Sequence, residues 1–318
     1  MKHRLVCARR VPPKVAARMR AEFDAVLQDD RDLTHAEALA ALADHKAEAL
    51  FFHSGFKLDA ATIAALPASV RVAATASVGF DHVDLAAAQA RGLMVTNTPE
   101  VLTGCTADMA FCLLLAAARR LGVFERMIRA DAWTPRAMGE GLGVRVWGKT
   151  LGIVGMGRIG KAMARRARGF DMNVIYHDLM EMPGEDAEYA PSLAAMLPRC
   201  DFLTLHVPLT PQTHHMIDAA ALALLPQGAV VVNAARGGVV DEAALRAALA
   251  SGHIFAAGLD VFEGEPRFDA AWIDRPESVL TPHVASGTFE TRDAMGFRAL
   301  DNIAAVLAGR PAIDPLWS

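Results

Sequence analysis

Leu151-Gly152-Ile153-Val154-Gly155-Met156-Gly157-Arg158-Ile159-Gly160 is the stretch on which the reading of this chain turns. A short apolar run ends in three glycines spaced G-x-G-x-x-G. Residues 161–168 continue with helical composition, and a second apolar run, Val174-Ile175-Tyr176, closes on His177-Asp178. Strand, tight turn, helix, strand and acid, in that order, make a dinucleotide-binding βαβ unit. Gly155 permits the tight turn, Gly157 leaves room for a pyrophosphate against the backbone, and Gly160 lets helix and strand pack closely. The helix start, with Arg158 and Ile159, offers backbone N–H groups and a positive dipole end to phosphates. Asp178 lies 23 residues beyond Gly155. There a carboxylate accepts ribose hydroxyls and repels a 2′-phosphate, which favours NAD(H) and leaves NADP(H) as the second choice. An acid at a strand end is also found simply solvated, so this assignment stays open at the level of sequence.

At 318 residues the chain is long enough for two domains, and 53% apolar with 21% charged residues describes a globular protein. The net charge of -4 gives no general attraction for nucleic acid or an anionic membrane. The four cysteines, Cys7, Cys105, Cys112 and Cys200, form no C-x-x-C pair, and buried, reduced thiols in a cytoplasmic protein are the expectation. No signal-peptide pattern opens the chain, and the apolar stretch 110–118 is too short for a membrane span. Neither H-E-x-x-H nor a Cys–His spacing occurs, so no metal site is expected.

The rest of the chain alternates strand-like and helix-like segments. Strands are expected at 5–8, 49–52, 70–76 and 93–96, with helices over 15–27, from the capping box Thr34/Glu37 to 42, over 59–66 and over 85–90. A single long helix is expected over 105–128, a surface loop over 180–189 with a turn at Pro183-Gly184, and a final helix over 289–307. Alternation of this kind predicts an α/β architecture with mainly parallel sheets.

Polar residues follow apolar strand-like runs at several points, which is the edge where parallel sheets bind ligands. His206 follows 202–205; Asn233, Ala235 and Arg236 follow 230–232; Asp260 follows 256–259, with Glu265 beyond; His283 follows 279–281. A histidine, an arginine and an acid so placed suit hydride transfer to a 2-keto acid. The protonated histidine donates to the oxygen on which charge develops, the arginine fork grips the carboxylate, and the acid orients the ring and favours its charged form. Patterning alone leaves each of them open to an ordinary surface role.

Several segments together settle a resemblance that runs nearly end to end: Ser77-Val-Gly-Phe-Asp81, Val95-Thr-Asn-Thr-Pro99, the glycine motif, Leu205-His-Val-Pro-Leu-Thr210, residues 233–242, Gly258-Leu-Asp-Val-Phe-Glu263 with Glu265-Pro266, and Thr281-Pro-His283. The chain resembles the D-isomer-specific 2-hydroxyacid dehydrogenases. The segment 100–108 and the lack of a regulatory domain resemble the glyoxylate/hydroxypyruvate reductase branch.

The resemblance implies two Rossmann-like parallel-sheet domains with an active-site cleft between them. A flavodoxin-like substrate domain would comprise residues 1–100 plus 285–318, and an NAD-binding domain 101–284. It implies His283 as acid and base, Glu265 as its partner, and Arg236 with the Val78 and Gly79 backbone as binders of the substrate carboxylate. Thr106, Ala235, Asp260 and His283 would border the nicotinamide, and His206, Val207, Pro208 and Thr213 the adenosine and pyrophosphate. A homodimer is implied. Substrate identity would be decided by side chains near 52–56, Phe80, Trp133 and Trp272. The competing reading is a non-catalytic NAD-binding corepressor, against which the joint presence of Arg236, Glu265 and His283 argues.

Overall fold

A computed structural model describes residues 2–182 and 186–317. The turn expected at Pro183-Gly184 lies outside the described residues. The chain divides into two compact units, one made of residues up to Leu102 together with those from Gly287 onward, the other of Thr103–Ser286.

The first unit carries five parallel strands: β1 (Arg4–Cys7), β2 (Asp24–Val26), β3 (Ala49–Phe52), β4 (Val72–Thr75) and β5 (Met94–Thr96), in the order β2-β1-β3-β4-β5. Both faces of this sheet are covered, which is why β3 and β4 are buried at every position. One face packs on Ala38, Leu42, Ile63 and Ala88 of three short helices. The other packs on Val15 and Met19 of helix Pro13–Glu22 and on Ala299, Leu300 and Ile303 of the closing helix Phe289–Leu307. The Thr34/Glu37 capping box forms as expected, Glu37 N–H donating to Thr34 Oγ1 at 3.2 Å and Thr34 N–H to Glu37 Oε2 at 2.8 Å.

The helix expected over 15–27 is shorter. It ends at Glu22, Phe23 turns to extended backbone (φ -120) with its ring buried, and Asp24–Val26 pairs with β1 as an edge strand. Helical spacing of apolar residues does not separate one long helix from a helix followed by a half-buried edge strand, because both bury the same few side chains.

The second unit carries seven parallel strands: β6 (Thr150–Val154), β7 (Asn173–His177), β8 (Glu188–Tyr189), β9 (Phe202–Leu205), β10 (Ala229–Asn233), β11 (Ile254–Leu259) and β12 (Ser278–Leu280). Their order is β12-β11-β10-β9-β6-β7-β8. Chain direction across the sheet reverses between β6 and β9, and beyond the carboxyl ends of such a pair lies the crevice where ligands bind. The edge strand β8 falls inside the stretch expected as a loop. Tyr176 and Tyr189 pair across it with their rings 5.5 Å apart, a contact that the acidic composition of the stretch conceals.

The long helix expected over 105–128 is two helices, Thr103–Ala118 and Leu121–Arg129. Arg120 takes a left-handed conformation (φ 54) between them, two residues before Gly122. The first helix is buried along most of its length against β10, β11 and helix Arg158–Arg168, whereas the second buries no residue. The thiols also differ from expectation: Cys7 and Cys200 are buried, Cys105 is partly exposed and Cys112 is exposed. Among the described residues no helix is long and apolar enough to cross a membrane.

Candidate active site

The glycine turn follows from close approach of backbones. Gly155 adopts φ +92, and a β-carbon there would lie 2.6 Å from the His206 carbonyl oxygen. At Gly160 it would lie 2.1 Å from the Gly155 oxygen. At Gly157 it would meet nothing within 4 Å. The turn is thus closed on its protein side and open at the residue where helix Arg158–Arg168 begins, and no side chain caps that helix among the described residues. This is a cradle shaped for a pyrophosphate, and the residues present fit a dinucleotide. Asp178, just past β7, accepts the Met156 N–H through Oδ2 at 2.7 Å, so the acid and the glycine turn form one piece.

Beyond β9, His206 has one ring nitrogen 3.0 Å from Thr204 Oγ1 and the other buried without a partner. Burial pushes its pKa down to about 3. Val207 touches the glycine turn, and Thr213 closes the next loop by donating to the Pro208 carbonyl at 2.6 Å. Thr106 and Ala235 are buried. In the first unit, burial and then the Arg9 charge push His53 down to about 4.

Both rings stay neutral in the folded chain but take up a proton below about pH 6.5 when it unfolds. Stability is therefore lost as pH falls from about 6.5 toward 4 for His53 and 3 for His206. At pH 5 the loss is at most about 2 kcal/mol for each ring. Chemical denaturation at pH 7 and pH 5 checks this: His53→Gln with His206→Gln should shrink the difference between the two curves, and an unchanged difference would contradict it.

Three side chains of the second unit converge on another patch of the same sheet edge. Asn233, buried at the end of β10, accepts the Ala235 N–H at 3.0 Å and donates to the Arg236 carbonyl at 2.8 Å, which shapes the loop that presents Arg236. Asp260, after β11, is fully buried. It takes Thr281 Oγ1–H at 2.6 Å, Val284 N–H at 2.9 Å and Ala285 N–H at 2.8 Å. These bonds hold the turn on which His283 sits at φ +52. With its carboxylate enclosed by its own chain, Asp260 positions that turn.

His283 Nδ1 lies 2.6 Å from Glu265 Oε2, and Glu265 Oε1 accepts the Phe262 N–H at 2.9 Å. Burial raises the Glu265 pKa, but the bonds from His283 and Phe262 and the charges of His283 and Arg236 outweigh it and hold the carboxyl below its ordinary range. Glu265 is thus an anion that occupies Nδ1 and directs Nε2 away from itself.

In the first unit, the loop after β4 is held by Ser77 Oγ–H donating to the Gly79 carbonyl and Asn97 Nδ2–H to the Val78 carbonyl, each at 2.8 Å. No acceptor for the Val78 and Gly79 N–H groups occurs among the described residues. Ser77 and Asn97 both lie in segments that carry the resemblance, although sequence reading gave them no role.

Other expectations change. Phe52, Phe56 and Trp272 are fully buried in cores, so they shape no open pocket, while Phe80 and Trp133 are exposed. His214, His215 and Glu263 bring ligating atoms within 4.8 Å of one another, a grouping that the spacing of histidines in sequence does not announce. The two rings stack at 4.0 Å and His215 Nε2 pairs with Glu263 at 2.6 Å, which is the geometry of an ion pair.

Residues 111–285 match the model of the D-isomer specific 2-hydroxyacid dehydrogenase, NAD binding domain. The chain is 41% identical over 319 residues to a glyoxylate reductase of Korarchaeum cryptofilum, covering 97% of this chain and 94% of that one. The chain belongs to the D-isomer-specific 2-hydroxyacid dehydrogenase family. A glycerate dehydrogenase of Hyphomicrobium methylovorum is 38% identical over 305 residues, 94% of each chain. An NADPH-dependent glyoxylate/hydroxypyruvate reductase of Sinorhizobium meliloti, solved with NADP and malonate, superposes with a TM-score of 0.88 at 35% identity, covering 100% of this chain and 97% of that one. This dehydrogenase is an oxidoreductase built to use a nicotinamide cofactor, in the two-domain α/β fold of its relatives.

Proposed function

We propose that this dehydrogenase reduces a small 2-keto acid of the glyoxylate or hydroxypyruvate type to the D-2-hydroxy acid, and catalyses the reverse oxidation. The observation that carries the reading is the His283–Glu265 pair at 2.6 Å with Arg236 close enough to add its charge to the site. A corepressor needs a nucleotide cradle but has no use for a histidine aimed by a carboxylate held at 2.6 Å. The names of the relatives support the same substrates.

The unit formed by Thr103–Ser286 is assigned the cofactor, and the other unit the remaining substrate contacts. When bound, the cofactor supplies or takes the hydride. His283 Nε2–H donates a proton to the carbonyl oxygen in reduction and recovers it in oxidation, while Glu265 fixes the ring and stabilises its charged form. Arg236 binds the substrate carboxylate in fork geometry. Asp178 favours NADH over NADPH, since it repels a 2′-phosphate and the next residue, Leu179, offers no countercharge.

Arg236→Lys keeps the charge and removes the fork. It should raise KM for the keto acid about tenfold or more while NADH binding holds. Steady-state kinetics check this, and an unchanged KM would remove Arg236 from the carboxylate site.

We also assign a homodimer. Helix Leu121–Arg129 buries nothing of its own, and Leu121, Ile128, Trp133, Leu142 and Trp147 are each more than half exposed. Beside them a groove of about 650 Å³ is lined by Phe111, Cys112, Leu115 and Phe170. Apolar exposure on this scale marks an interface. Light scattering should give twice the chain mass, and a monomer at micromolar concentration would contradict it. The free thiols fit a cytoplasmic setting.

A further inference from the structure

Glu242 opens helix Glu242–Ala250, whose end is already capped by Asp241 through the Ala244 N–H at 3.0 Å. The helix therefore does not need Glu242 as its cap, yet this acid is buried. Its two oxygens leave the helix in different directions. Oε1 accepts the Glu263 N–H at 2.7 Å, and Oε2 accepts the indole N–H of Trp272 at 2.7 Å. One turn on, Arg246 lies 3.5 Å from Oε2, covers the Trp272 ring and pairs with Asp269 at 2.7 Å. A buried carboxylate persists only with partners of this quality, so the site is built rather than incidental.

The peptide that Glu242 holds directly follows the one the active site depends on. Phe262 supplies the N–H that fixes Glu265 Oε1, and the next N–H, that of Glu263, is in the grip of Glu242. The same peptide lies hard against the Arg236 loop: a β-carbon at Gly237 would fall 2.0 Å from the Phe262 carbonyl carbon. Trp272, fully buried, comes from the stretch 268–276. It completes the arrangement as the donor that keeps the second oxygen of Glu242 occupied.

We propose that Glu242, held by Trp272, is a positioning residue that fixes the Phe262–Glu263 peptide and so aims Glu265 at His283 Nδ1. This rests on the reading of His283 and Glu265 as the acid–base pair. Glu242→Gln leaves a single acceptor facing two donors, the Glu263 N–H and the Trp272 N–H. Adding Trp272→Phe removes one of those donors and frees the amide oxygen for Glu263.

The experiment measures kcat and kcat/KM for NADH-dependent glyoxylate reduction against pH in four variants: Glu242→Gln, Trp272→Phe, the double variant, and Glu265→Gln as reference. NADH affinity and melting temperature are measured alongside. In Glu242→Gln, kcat should fall about tenfold with NADH affinity unchanged, and the alkaline limb should move to lower pH, the direction Glu265→Gln takes. The double variant should recover most of the limb position. A folded Glu242→Gln enzyme with the wild-type profile, or a double variant no better than the single, would overturn the proposal while leaving the pair intact. A Glu265→Gln enzyme with the wild-type profile would instead overturn the pair, and this proposal with it. If Glu242→Gln does not fold, Trp272→Phe alone decides: a smaller shift of the same sign supports the proposal, and no shift overturns it.

Discussion

His283→Asn lowers the turnover of keto acid reduction about a thousandfold, while the dissociation constant for NADH stays within about threefold. Asparagine is the informative replacement because His283 sits at φ +52, a conformation that asparagine tolerates far better than other residues. The bonds from Asp260 to Thr281, Val284 and Ala285 hold the turn independently of the side chain at 283. The change therefore removes an ionisable donor without moving its support. Glu265 keeps the Phe262 N–H and is partly exposed, so no stranded buried charge complicates the result. The glycine cradle follows β6, on other strand ends of the same sheet, so cofactor affinity has no reason to follow turnover. Steady-state rates with NADH fluorescence titration check both halves. Equal losses in binding and turnover would mean that His283 acts in holding the cofactor rather than in moving a proton.

Gly160→Ala should destabilise the Thr103–Ser286 unit by about 3 kcal/mol and weaken NADH binding at least tenfold. The added carbon would lie 2.1 Å from the Gly155 carbonyl oxygen and 3.3 Å from Ile153. The first neighbour is backbone, so relief requires the helix to withdraw from β6 or the turn to open. Either movement spoils the cradle. The opposite control is Gly157→Ala, where the new methyl meets no protein atom and stability should hold while nucleotide binding falls. Thermal melts and fluorescence titration of both variants test the pair. Retention of NADH affinity in both would contradict the placement of the pyrophosphate.

The parts of this protein legible in the sequence are those where backbone sterics or strand-end chemistry leave residue-level marks. Gly155 and Gly160 are glycines because no other residue fits, and Thr34 with Glu37 writes a helix start in two letters. The strand Ala229–Asn233 and the helix Phe289–Leu307 lie where apolar patterning puts them. Arg236, Glu265 and His283 are each readable as polar residues after apolar runs.

What escaped reading depends on contacts distant in sequence. The break at Arg120 falls where the Val144 N–H donates to the Ala118 carbonyl at 2.8 Å, a contact from a segment distant in sequence. The edge strands β2 and β8 exist because a neighbouring strand offers its free edge. Trp272 reads as a side chain that decides substrate identity, but its partner Glu242, 30 residues away, holds it in the core.

The most direct test of this chemistry is the initial rate of glyoxylate and hydroxypyruvate reduction with NADH and with NADPH, together with the chirality of the glycerate formed from hydroxypyruvate. Turnover of at least one of the two acids is expected, with NADH preferred over NADPH because of Asp178 and D-glycerate formed wherever hydroxypyruvate is reduced. Tight NADH binding with no turnover of either acid, or formation of L-glycerate, would contradict it.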